Sequence, residues 1–109
     1  MYNDMLKKFL LDVNFDDAII LPEQIRYEVK DSFSTIQMYI CDKKISFRVY
    51  GDAYVVAMTK WLQQKLKSKY DIKQITIQQL VDKFNLPDFK YRNASQLIEL
   101  IEKINATII

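Results

Sequence analysis

The chain has 109 residues, of which 16 are basic and 14 acidic, with one cysteine and no histidine. That length holds one domain, 1–109, around one core; a lone cysteine excludes an intrachain disulfide or thiolate cluster, and the missing imidazole removes the commonest general base and metal ligand. Half of the residues are hydrophobic and 28% charged, a composition that folds, while a net charge of +2 without a run of like charge argues against a nucleic-acid partner.

No apolar run approaches the roughly 20 residues that cross a bilayer, and Met1 to Leu10 mixes acid and base among its apolar residues. A cytoplasmic chain with no membrane partner is therefore expected. In chain order, Tyr2, Met5, Leu6, Phe9, Leu10 and Val13 recur at the spacing of one helical face, which predicts a first helix. After Pro22 the period changes to two: Ile25 to Lys30, Phe33 to Ile40 and Ile45 to Tyr50 each alternate apolar and polar residues. Their links, Asp31-Ser32 and Cys41-Asp42-Lys43-Lys44, are short enough to make the three strands an antiparallel meander.

Gly51 and Asp52 then lead into a helical spacing of Val55, Met58, Leu62 and Leu66. Thr76 with Gln79 has the form of a capping box and opens a short helix that must end before Pro87. Asn93 with Gln96 repeats that form before a last helix carrying Leu97, Ile98, Ile101 and Ile104. The expected fold is thus α+β: an N-terminal helix, a three-stranded antiparallel meander, then three helices on one face of the sheet.

This order and several local motifs resemble the NifU/IscU-type scaffold of iron–sulfur cluster assembly, over most of the chain. In that family the third strand runs through an aromatic-x-Gly-Cys turn into a helix; here the stretch reads Phe47-Arg48-Val49-Tyr50-Gly51-Asp52-Ala53. A short helix then ends in Leu-Pro-Pro-Val-Lys, with His-Cys opening the last helix. This chain has Leu86-Pro87-Asp88-Phe89-Lys90 followed by Arg92-Asn93.

Residue by residue, the family's three cysteines fall on Ser32, Asp52 and Asn93, its aspartate on Ser34 and its histidine on Arg92. Clusters are held by thiolates, and a guanidinium at the histidine position puts a fixed positive charge where the family puts metal. The resemblance therefore implies a scaffold without competent cluster ligands: no catalytic residue, no metal, no cofactor, and a role in protein binding. Asp52 and Asn93, both good N-cap residues, are expected to cap helices where the family has thiolates.

In the family Leu-Pro-Pro-Val-Lys is recognised by an Hsp70-type chaperone, so the resemblance implies Leu86, Pro87 and Lys90 as partner-binding residues; the alternative is a proline stop followed by Phe89 packed in the core. The implied partners are that chaperone or a cysteine desulfurase. Other readings are an unrelated α+β binding domain, or an enzyme using carboxylates such as Asp31 and Asp52 as acid and base. Asp52 beside Asp31 also suggests a remnant hard-metal site, secondary to the capping role. Cys41, in the second link, reads as a bystander. Tyr54, Met58 and Trp61 read as a core or interface stripe.

Overall fold

The computed structural model describes residues 3–108, so Tyr2 lies outside the described residues. Strands β1 (Ile25–Lys30), β2 (Thr35–Ile40) and β3 (Ile45–Tyr50) form one antiparallel sheet in the order β1-β2-β3. Alternation decides which face is buried: Tyr27 stands opposite Met38 and Met38 opposite Phe47, while Val29, Ile36 and Val49 form the adjoining row. The other face carries Arg26, Lys30, Gln37, Tyr39 and Arg48, with Gln37 Nε2 donating to Glu28 Oε2 at 2.6 Å and Tyr39 OH donating to Gln37 Oε1 at 3.1 Å. One apolar and one polar face is the pattern of an antiparallel sheet covered on a single side.

The cover comes from the helices α1 (Asp4–Asp12), α2 (Ala53–Lys67), α3 (Ile77–Phe84) and α4 (Tyr91–Ile108). Helix α2 lies along β3 and α4 along β1; α1 packs on α2, and α3 fits among α1, α2 and α4. Tyr54, Met58 and Trp61 belong mainly to the interior: Met58 is fully buried and Trp61 is 5% exposed, with only Tyr54 half-buried. Phe84 of α3 meets Phe9 of α1 at 5.9 Å and Trp61 of α2 at 6.3 Å, both edge-on, so three helices share one aromatic knot.

Helix ends are set by side chains. Asn3 caps α1 by accepting from Leu6 N at 2.9 Å, and its own amide donates to Lys83 O at the end of α3. Thr76 and Gln79 form the expected reciprocal box on α3. Helix α2 ends without glycine: Lys69 takes a left-handed φ of 60°, letting Lys69 N donate to Leu66 O and Tyr70 N to Lys65 O.

Two boundaries differ from the sequence reading. Strand β2 begins at Thr35 rather than Phe33, because Asp31 Oδ1 accepts from Phe33 N and Ser34 N and folds those residues into the turn. The last helix begins at Tyr91 rather than after a cap at Asn93. A 3-10 turn, Asp88–Lys90, runs directly into it, and Asn93 falls inside the first turn. No helix among the described residues is long and apolar enough to cross a membrane.

Candidate functional site at the strand-turn end

The residues singled out by the resemblance gather unequally. The β1–β2 turn, the entry to α2 and the entry to α4 meet at one end of the sheet. Ser34, 4% exposed, donates from Oγ to Gln96 Oε1 at 2.7 Å and accepts from Asn93 Nδ2 at 3.3 Å, while Gln96 Nε2 donates to Ser34 O at 3.2 Å. Asn93 therefore does not cap α4 and Gln96 does not complete a box. Helix α4 starts at Tyr91, three residues before the Ala94 start that an Asn93 cap would give, which turns both amides inward onto Ser34. Gln96 was legible only as a capping partner, because its real contact is 62 residues away.

Asp52 caps α2 as expected, accepting from Tyr54 N at 3.0 Å and Val55 N at 3.2 Å, and its other oxygen pairs with Lys90. Gly51 brings this entry against the turn: a Cβ placed there would lie 3.2 Å from Val55 Cβ and 3.3 Å from Ser34 Cβ. Close approach, rather than an unusual φ, calls for glycine here. Replacing Asp52 with alanine removes both the cap and the Lys90 pair, and is expected to lower the unfolding free energy by about 1 to 2 kcal/mol in urea titration. A change below about 0.3 kcal/mol would show that the cap is energetically idle.

Ser32 stands exposed in the turn, outside this hydrogen-bonded group. Arg92 lies over the Phe33 ring at 5.0 Å, a cation–π contact. Asp31 is held below its ordinary value chiefly by the Phe33 and Ser34 backbone N–H groups, with the Arg92 charge assisting. A carboxyl so held is a poor general acid or base near neutrality.

These donors do not suit an iron–sulfur cluster or a zinc ion. Ser34, Asn93 and Asp52 are committed to internal hydrogen bonds, and Arg92 adds positive charge. Among the described residues no group of three or more histidine, cysteine or carboxylate side chains is placed to share a metal ion.

Above the polar group the surface is aromatic. Phe89 is 77% exposed and Phe33 74% exposed, and with Asp88, Lys90, Arg92 and Asn93 they border a depression of about 480 Å³. The expectation that Phe89 packs in the core is thus overturned: Leu86 enters it, at 5% exposure, and the 3-10 turn after Pro87 swings Phe89 outward. Of the three residues implied as partner-binding, Leu86 is buried, Pro87 half-buried and Lys90 held by Asp52. Cys41 is half-buried in the β2–β3 turn, which it closes by exchanging backbone hydrogen bonds with Lys44.

No family model, no curated protein and no solved structure matches this chain.

Proposed function

We propose that this chain is an interaction module built on a NifU/IscU-like scaffold outline, one that binds a protein partner through its strand-turn end and carries no cluster. The observation that carries this reading is the pair of exposed rings, Phe33 and Phe89, flanking Arg92 above a fully hydrogen-bonded polar layer. Aromatic rings and arginine are the side chains that most often dominate binding energy at protein interfaces. The polar layer beneath fixes the turn and α4 relative to each other, so the rings are presented without a large ordering cost on binding.

Within the iron–sulfur pathway, this arrangement favours a cysteine desulfurase over the chaperone. A linear Leu-Pro-x-x-Lys epitope needs its leucine and lysine accessible, whereas Leu86 is buried and Lys90 is paired with Asp52. The carboxylate-enzyme reading is weaker, because Asp31 and Asp52 both spend an oxygen on two backbone N–H groups.

Titration with a purified cysteine desulfurase tests the proposal. Binding is expected, and Phe33→Ser with Phe89→Ser should weaken it by about 2 kcal/mol or more while leaving the circular dichroism spectrum unchanged. Absence of binding, or indifference to both substitutions, defeats the desulfurase reading. A stoichiometric cluster formed on incubation with iron, sulfide and the desulfurase would overturn the claim that the scaffold has no cluster.

A further inference from the structure

A second surface lies along the free edge of β3. The segment following α1, which includes a 3-10 turn at Phe15–Ala18, runs beside that edge, and the two enclose a groove of about 340 Å³ whose apolar lining comes from Val13, Ala18, Phe47, Val49 and Val56. The hydrogen-bond phase of the hairpin leaves part of this edge open. Cys41 and Lys44 exchange backbone hydrogen bonds, so Tyr39 with Ser46 and Gln37 with Arg48 do the same, and Phe47 and Val49 turn their N–H and C=O groups outward. Gln63 Nε2 occupies only the neighbouring Ile45 O, at 2.7 Å.

Beside this hollow stands a projection. Phe15 is 95% exposed and Leu11 85% exposed. Phe15 opens the 3-10 turn whose Asp17 and Ala18 line the groove, with Asn14 before it lining the groove as well, so its ring projects beside the hollow. A ring that protrudes next to an apolar hollow is the self-complementary pattern required of a two-fold contact, in which one patch meets its own copy. The charges agree. Asp16 follows Phe15, gives one oxygen to Lys44 and keeps its side chain 75% exposed; Arg48, exposed, lies along the groove.

We propose that a second copy of this chain covers the groove, in a two-fold dimer where Phe15 of each protomer enters the hollow of the other and Asp16 of each meets Arg48 of the other. A stable dimer typically covers about 800 Å² per protomer. Leu11, Phe15, Ile19 and Tyr50, each more than half exposed, supply the apolar part of such a face. The inference is independent of the Phe33–Phe89 surface, with which it shares no lining residue.

Sedimentation velocity on the whole chain over a concentration series tests it. The unsubstituted chain is expected to dimerise, and Phe15→Ser to raise the dissociation constant at least about tenfold with the circular dichroism spectrum unchanged. Asp16→Arg and Arg48→Glu should each abolish self-association, because each places like charges together twice. Mixing those two variants restores both opposite-charge contacts and should restore a dimer. A chain that stays monomeric throughout, a dimer indifferent to Phe15→Ser, or a mixture that fails to associate would each overturn the proposal.

Discussion

Replacing Lys60 with methionine is expected to lower the unfolding free energy by about 3 to 5 kcal/mol, among the largest single-residue effects in this chain. Lys60 is 5% exposed and Asp17 is 4% exposed; the ammonium touches both Asp17 oxygens at 3.1 and 2.9 Å and donates to Gln63 Oε1 at 2.8 Å. Gln63 Nε2 donates to Asp17 Oδ1 at 3.0 Å, and Asn14 N donates to Asp17 Oδ2 at 3.1 Å. Every polar atom of the group has a partner, so the cost of substitution arises from the carboxylate left behind in a buried place without its cation.

The same group sets a pH dependence. Burial alone raises the Asp17 carboxyl, but hydrogen bonds from Gln63, Lys60 and Asn14, with the Lys60 charge, outweigh it and hold the group below its ordinary 3.8. A carboxyl lowered on folding contributes stability that is complete above the unfolded value and lost as pH falls through the folded one. Denaturant titrations should therefore show the Asp17 contribution intact at neutral pH and disappearing only below about pH 4. In Lys60→Met the lowering hydrogen bond and charge are gone, so the loss should begin at higher pH. If Lys60→Met unfolds within about 1 kcal/mol of the unsubstituted chain at pH 7, the buried pair contributes no more than an exposed one would.

Phe84→Ala is expected to cost about 3 to 5 kcal/mol, for a different reason. Phe84 is 1% exposed and meets both the Phe9 and the Trp61 ring, so truncation opens a cavity where α1, α2 and α3 converge. The two rings that border the gap are themselves nearly buried, Phe9 at 4% and Trp61 at 5% exposure, so neither has free surface to bring into it. Urea unfolding followed by Trp61 fluorescence reads the loss directly; a cost under about 1.5 kcal/mol would mean that the helices close over the gap.

What the sequence disclosed depended on the range of the signal. Alternation over six residues marks β1 and β3, and the short-range Thr76–Gln79 box and the Asp52 cap formed as read. The 3-10 turns at Phe15–Ala18, Ile72–Gln74 and Asp88–Lys90 are too short to carry a period, and the last of them accounts for the displaced start of α4 and for Phe89 facing outward. Phe33 is out of phase with the buried Ile36 and Met38, and it stands in a turn because one aspartate oxygen competes with the ladder for two backbone donors. The polar groups at the candidate site and around Lys60 join residues 59, 62 and 43 positions apart, and no local pattern announces such partners.

The hydrogen bond from the Asn3 amide to Lys83 O spans 80 positions. The residues of α1 leave the ribosome before those of α2, on which the helix mainly packs, and before those of α3, which supplies this tether. Helix α1 thus finds its principal neighbour when α2 has been made, and the Asn3 bond to the end of α3 is completed only after that.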